Sequence, residues 1–377
     1  MLDGHNSDTE LPLGLPRTAF HEIKYTSVAG PVQDLQKFTG QYSLLSAVEE
    51  LNYHSERTIQ TSSLSETPFT QTLADTISHP LMRRLAGVPQ LGLISLLYPA
   101  ATHSRLEHVL GTFTNVICYC DALYNDALNP LFKQIVSDED IRVLLLAALF
   151  HDLGQFPLAH DLEEAAPTLF DHEKISTDLI RGRIGGASAA GLREIIGTKW
   201  NVNPERVAKI IEANPTNLDS PLIDRLLGTI INGPIDADKL GYIVRDSANL
   251  GVPLGTAIDF SRLLRCLTVI YKRQELKVYI ALGIHEKGKF PAEAVAFARY
   301  SMFGAVYWHH TSRAVKAMLH RAVWEGMPET PKGKAQYRAE LQDFIIGPGS
   351  ADPTQPDLFA TKTKFGTLSQ ILPADMV

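Results

Sequence analysis

A chain of 377 residues, 45% of them hydrophobic, is long enough for one large globular domain with an appended lobe, or for two domains. A formal charge of −7 argues against a general nucleic-acid surface and leaves room only for a local basic pocket. No stretch reaches the roughly 18 uninterrupted apolar residues of a membrane span, and residues 1–8 have neither the basic start nor the apolar core of a signal peptide. Cys118, Cys120 and Cys266 offer no CxxC pair and no disulfide framework, so the expectation is a chain in a reducing cytoplasm with no zinc-thiolate site.

Residues 1–40, rich in Pro and Gly without a sustained period, read as an arm. Helical periodicity begins near Leu44. A helical pattern over 67–85 is interrupted at Pro80, ends in Met82-Arg83-Arg84-Leu85 and is broken by Gly87 and Pro89. Residues 93–98 are short and apolar, 99–102 form a turn, and a helix starts near His103 or Ser104 and runs through Arg105, His108, Leu110, Val116 and Tyr119. Ser137 reads as an N-cap with Asp138, Glu139 and Asp140 in the first turn, where carboxylates complement the helix dipole. The helix it opens is apolar over 143–150 and delivers His151-Asp152.

Two further short helices are expected over 173–180 and 189–196, and another opens at Asn203-Pro204-Glu205, with Pro at the first helical position. Ser220-Pro221 repeats that signal for 222–232, and Gly233-Pro234 ends it just before Asp236-Ala237-Asp238-Lys239. Only 275–282 alternates like a strand, which places it in a small sheet or ribbon. Residues 293–324 read as one long helix. After Gly347-Pro348-Gly349 the chain is Pro-rich and weakly structured, which raises the expectation of a further lobe or a partner beyond it. The fold class is mainly α with a minor β element and no internal repeat.

Of the thirteen histidines, His103, His108, His151, His160 and His172 stand near acids or arginines. A histidine and a carboxylate side by side at the end of a buried helix are costly unless something pairs with them. A divalent metal is one partner; a His–Asp pair that merely caps the helix is the alternative. A site drawn from His108, His151, Asp152 and Asp238 has two imidazoles and two carboxylates. That set suits Mn, Fe, Zn or Ni, and Mg less well because it prefers oxygen ligands. Water on such an ion becomes acidic enough to act as a nucleophile.

Taken in order, His103-x-Arg105-x-x-His108, then His151-Asp152-x-Gly154, then Asp236-x-Asp238-Lys239 resemble the HD-domain phosphohydrolases. Within them the chain is most similar to the deoxynucleoside triphosphate triphosphohydrolases, the group of bacterial dGTPases and the SAM-and-HD-domain protein. The resemblance covers roughly residues 78–320. Besides those motifs, it rests on Arg84-Leu85, Gln90-Leu91-Gly92, Tyr98-Pro99-Ala100-Ala101-Thr102 and Val306-Tyr307-Trp308-His309-His310.

The resemblance implies an HD-domain helical core over 41–260. A C-terminal lobe with helices and a small β ribbon would follow over 261–345, then a poorly structured tail over 346–377. It implies metal ligation by His108, His151, Asp152 and Asp238, and catalytic work by His160 with His172 and Glu163 in support. His160 and Glu163 are spaced i, i+3, which puts them on one helical face, where a carboxylate would orient the imidazole as proton donor to a leaving oxygen. For Glu163 alone, a solvated helix face is the competing reading. On the substrate side it implies Gln90 and Leu91 at the sugar, Arg105 and Lys239 at the phosphates, and Tyr242, Asp246, Arg299 and Tyr307 around them. Arg holds phosphate bidentately and Lys holds it as a point charge.

Three departures stand out. Gln155 replaces a second histidine and can hydrogen-bond a phosphate without giving it a proton or a charge. Arg83 and Ala86 replace residues of an activating nucleotide site, and Trp308 replaces a smaller or polar residue beside Tyr307. The implied activity is hydrolysis of a deoxynucleoside triphosphate to deoxynucleoside and triphosphate. The alternatives are a monophosphate, modified or cyclic nucleotide as substrate, or a non-catalytic nucleotide-sensing subunit. Four buried polar ligands that need pairing speak against the last. A homo-oligomer is implied by the family alone.

Overall fold

The structure, a computed structural model, describes residues 58–60, 66–167, 171–214, 217–255, 257–274 and 277–346. The arm over 1–40, the periodicity near Leu44 and the tail beyond residue 346 lie outside the described residues. A two-stranded ribbon, β1 (Thr58–Gln60) and β2 (Glu66–Pro68), leads into α1 (Gln71–Ser78) and α2 (Pro80–Arg83). Then come 3-10 turns over Arg84–Gly87 and Gly92–Leu96, α3 (Arg105–Tyr124), α4 (Leu131–Ile135), α5 (Asp138–Phe150), α6 (Ala159–Ala165) and α7 (His172–Ile180). They are followed by α8 (Gly186–Thr198), α9 (Pro204–Ile211), α10 (Leu222–Ile231), α11 (Ala237–Leu250) and α12 (Phe260–Leu264). A hairpin of β3 (Leu267–Gln274) and β4 (Lys277–Ile284) precedes α13 (Lys289–Met302), a π-helical turn (Phe303–Tyr307), α14 (His310–Gly326) and α15 (Pro331–Ile346).

The start signals in the sequence act as expected. Ser104 caps α3 by accepting from the Glu107 N–H at 3.3 Å. Ser137 and Asp140 form a reciprocal capping box on α5. Asn203 caps α9, with Pro204 as its first residue. A further cap, not anticipated from the sequence, is Asp236 on α11, accepting from the Lys239 N–H at 2.6 Å. These caps matter because α3 packs against both α5 and α11 at the centre of the molecule. Buried residues run almost without interruption over the last ten positions of α5. A helix that is apolar all round has to be enclosed by others, and what leaves its end is aimed into the interior.

The structure corrects three expectations. The 67–85 pattern is not one helix: it begins in β2 and divides at His79, which is extended and whose side chain caps α2 by accepting from the Leu81 N–H. The expected strand over 275–282 is β4, displaced to Lys277–Ile284, and its partner β3 pairs with it from Leu267↔Ile284 to Gln274↔Lys277. The expected helix over 293–324 is two. The Trp308 N–H reaches back to the Phe303 carbonyl at 2.9 Å, closing a π turn, and His309 then caps α14. No helix among the described residues is long and apolar enough to cross a membrane.

Candidate active site

Three central helices each bring one part of a charged cluster. α3 supplies Arg105 and His108, the end of α5 supplies His151 and Asp152, and the first turn of α11 supplies Asp238. One ligand atom each of His108, His151 and Asp238 lies within 4.8 Å of the others. His108 Nε2 is 3.0 Å from Asp238 Oδ1 and 3.3 Å from His151 Nε2. His151 Nε2 is 3.5 Å from the same Asp238 oxygen. Asp152 joins through both oxygens, at 3.4 Å from His108 Nε2 and 3.7 Å from His151 Nε2.

These separations test whether an ion fits. Donors bound to one ion at about 2.1 Å stand about 3.0 Å apart at right angles and about 3.4 Å apart at tetrahedral angles. The His151 Nδ1–H donates to the Ala148 carbonyl at 2.9 Å, which fixes the tautomer that leaves Nε2 with a lone pair. Two imidazole nitrogens facing each other need a proton or a cation between them. Burial lowers the His108 pKa and so favours its neutral form. Burial acts the same way on His151, but the Asp152 and Asp238 charges outweigh it and lift the ring to about 9. Burial likewise opposes ionisation of both carboxylates, yet His151 and Arg105 hold Asp152, and His108 and His151 hold Asp238, well below the usual range. With no other cation, a proton on His151 balances the cluster; a divalent ion is the natural replacement. The residues fit.

Asp152 is the hub toward the second cluster. It accepts from Arg105 Nη1 at 2.8 Å and Gln155 Nε2 at 3.3 Å, and His172 Nε2 lies 3.4 Å from it. His172, the first residue of α7, donates its backbone N–H to Glu163 Oε1 at 2.6 Å, and its ring Nδ1 also bonds that oxygen. The other Glu163 oxygen is 3.2 Å from His160 Nδ1. Glu163 therefore does not sit on a solvated face; it bridges two imidazoles. Burial opposes its ionisation, but the bonds from His160 and His172 hold it near 2. Burial lowers His172, and Asp152 and Glu163 more than reverse that, to about 10. The His160 side chain is 54% exposed, with its Nε2 3.3 Å from the Gln155 side-chain nitrogen. His160, Glu163 and His172 also meet the spacing of a metal-holding group.

Around these clusters, Tyr307 donates to Asp246 Oδ2 at 2.7 Å while His103 holds Asp246 Oδ1 at 2.8 Å. Tyr242 stands edge-on to Tyr307 at 6.2 Å and accepts from Arg299 Nε at 3.2 Å. Gln90 and Leu91 follow an isolated bridge, Pro89 to Ser104, that ties their loop to the start of α3. Lys239 is engaged with Asp236 at 2.5 Å. Gln90 Oε1, Arg105 Nε and Gln155 Oε1 are buried and have no protein partner among the described residues. Leaving such an atom unpaired costs about 1–3 kcal/mol, which a bound ligand would offset.

Several residues of the site were given no role by the sequence. Arg84, buried, donates to the carbonyls of Leu153 and Gln155 and so clamps the turn after His151. Ser176 accepts from the Gly154 N–H at 2.7 Å and donates to the His151 carbonyl at 2.8 Å. Arg245 of α11 lies fully buried beside His108, 3.4 Å from its Nδ1, and its guanidinium occupies the space a side chain at Gly111 would need. The last pairing is detectable only as a glycine inside an otherwise large-residue helix.

Two family models match the chain: HD domain over residues 105–229 and HD associated region over residues 258–344. A Methanocaldococcus jannaschii protein, MJ1154, is 30% identical over 248 residues, which is 66% of this chain and 45% of that protein. YwfO of Bacillus subtilis is 30% identical over 252 residues, 66% of this chain and 51% of that protein. The deoxynucleoside triphosphate triphosphohydrolase SAMHD1 of Danio rerio is 28% identical over 274 residues, 67% of this chain and 42% of that protein. The chain spans about half the length of the curated relatives it matches. With His108 and the His151-Asp152 pair inside the first matched segment, the chain is an HD-domain protein that carries the HD associated region behind that domain.

Proposed function

We propose that this chain is a metal-dependent phosphohydrolase that splits deoxynucleoside triphosphates into deoxynucleoside and inorganic triphosphate. The observation that carries this reading is the convergence of His108, His151 and Asp238 donor atoms within 4.8 Å, with Asp152 tying them to a second imidazole cluster. His108, His151, Asp152 and Asp238 would hold the ion, for which Mn, Fe, Zn and Ni suit the mixed donors better than Mg. When bound, a divalent ion supplies an acidified water and neutralises charge on phosphate oxygens.

The chain's own residues do the rest. Arg105 balances Asp152 with one nitrogen and has a buried Nε without a protein partner among the described residues, which a phosphate oxygen would satisfy. His160 would give a proton from Nε2 to the departing nucleoside oxygen; burial and the Arg105 charge lower the ring's pKa, and the Glu163 carboxylate at Nδ1 works against them. His172 fixes Glu163 and is itself held by Asp152, so the acid is oriented from the metal side. Lys239 sits one residue from Asp238 and would exchange Asp236 for a phosphate. The edge of Tyr307, braced by Asp246, would close on the 2′ side of the sugar and exclude a 2′-hydroxyl. Gln90 and Leu91 would meet the sugar from the other loop.

Incubating metal-loaded protein with each dNTP and separating products by chromatography tests the reading. Deoxynucleoside and triphosphate in equal amounts are expected. Absence of both from every dNTP, with metal bound, rejects it. Gln155 favours one second reading, a monophosphate, modified or cyclic nucleotide substrate, because its amide adds no positive charge where a triphosphate would draw on it. A panel of such esters separates the two.

A further inference from the structure

We propose that Lys316, in the HD associated region, is a positioning residue for His160 in the HD domain. The proposal rests on the reading of His160 as the proton donor.

α6 is only seven residues long, far short of the roughly 12–15 at which a helix is even marginally stable alone. It also begins badly. Leu158 ahead of it has φ +62°, and no side chain caps the first turn. Its placement must therefore come from what grips it. His160 and Glu163 occupy one face, toward the site. On the other face Asp161 and Glu164 meet a single cation: Lys316 Nζ of α14 is 3.3 Å from Asp161 Oδ1 and 2.8 Å from Glu164 Oε1.

The Lys316 and Asp161 side chains are 16% and 13% exposed, so the pair is shielded from water and salt and is not an ordinary surface contact. One turn along α14, His320 Nε2 donates to the Asp161 backbone carbonyl at 2.7 Å. The second Asp161 oxygen accepts from the Leu93 N–H at 3.3 Å. Gly92 there has φ +48° and approaches so closely that a Cβ would stand 2.7 Å from Asp161 Oδ2. One carboxylate thus joins α6 to the loop after Gln90-Leu91 and to α14. Among these ties, Lys316 alone also reaches Glu164. It crosses from residues 258–344 to residues 105–229, the two matched segments.

Lys316→Met keeps the length and apolar stem and removes the charge. Three readouts are needed: amide hydrogen exchange of residues 159–165, bound metal per chain, and kcat and KM for a dNTP. The expected result is exchange in 159–165 faster by about tenfold or more, with α3 unchanged. Metal content should be unaltered, kcat should fall about tenfold or more, and KM should stay within about twofold. Lys316→Arg restores both exchange and kcat. If Lys316→Met fails to fold, Glu164→Gln, on an exposed side chain, gives the same signature in smaller amplitude. Unchanged exchange over 159–165, or a loss of kcat that Lys316→Arg does not restore, overturns the proposal. Absence of dNTP turnover in the unmodified protein defeats the functional reading instead, and the exchange measurement still decides whether Lys316 holds α6.

Discussion

Gly154→Ala should damage the site more than its one added carbon implies. A Cβ at this position would stand 2.3 Å from the His172 carbonyl oxygen, 2.6 Å from the Ser176 nitrogen and 2.8 Å from Ile175 Cβ. Ordinary contact begins at 3.4 Å, so the first turn of α7 would have to withdraw by about 1 Å. None of the three neighbours is the far end of a flexible side chain, so no rotamer change relieves the clash. Overpacking of this kind costs about 1–3 kcal/mol. Stretching the Gly154 N–H bond to Ser176, and with it the Ser176 bond to the His151 carbonyl, adds about 1 kcal/mol. Together they amount to about 2–4 kcal/mol, read by urea unfolding of the metal-free protein. The same movement draws His172 off Glu163 and Asp152, and a misplacement of about 1 Å can cost on the order of 100-fold in turnover. Gly197→Ala is the control, because nothing lies within 4 Å of its added carbon in α8. It should stabilise by about 0.5–1 kcal/mol. A Gly154→Ala protein within about 0.5 kcal/mol of the parent, with turnover intact, refutes the reasoning.

Asp238→Asn should weaken Mn²⁺ binding by more than the roughly 10–100-fold that loss of an outer partner costs, as measured by calorimetric titration; equal affinity would remove Asp238 from the ligand set. Because His151 holds its proton to about 9, binding of an ion near pH 7.5 should release about one proton, seen as a dependence of binding enthalpy on buffer ionisation. The Glu163 pKa is depressed from 4.5 to about 2, so its contribution to stability is complete above about 4.5 and disappears as pH falls through 2. The His172 pKa is raised from 6.5 to about 10, so its contribution is complete below 6.5 and is lost as pH rises through 10. Melting of the metal-free protein from pH 2 to 10 should show both limbs. Glu163→Gln should remove the acid limb and shrink the alkaline one, and two unchanged limbs would refute the bridge.

Much of the helical plan was legible in local chemistry. Ser137 with its acidic first turn, and Asn203 with Pro204, each announced a helix start, because caps are written in adjacent residues. The ordered His and Asp motifs pointed to His108, His151, Asp152 and Asp238; the structure gathers donor atoms of His108, His151 and Asp238 within 4.8 Å, with Asp152 3.4 Å from His108. β3 was missed because Leu267, Thr268, Val269 and Ile270 are buried in succession, which erases the alternation that marks a half-buried strand. The break between α13 and α14 was missed because Phe303, Val306 and Tyr307 keep a helical spacing through the π turn. Glu163 left two readings open because its second partner, His172, is nine residues on, across a connection that no periodicity spans. Lys239 reads as an available cation until Asp236, three residues back, is seen to hold it. Arg84 and Ser176 act through backbone carbonyls and amides, contacts that leave no mark on residue type.

Gly111 and Arg245 share one volume: a Cβ on the former would fall 1.5 Å from Nη2 of the latter. Enlarging position 111 first evicts a guanidinium from beside His108. Trimming position 245 first leaves a vacant chamber between α3 and α11. Each single step is harmful, so sampling one substitution at a time will find both sites immutable. The two can be exchanged only in one move, and a library that randomises them jointly is the route to any alternative packing behind His108.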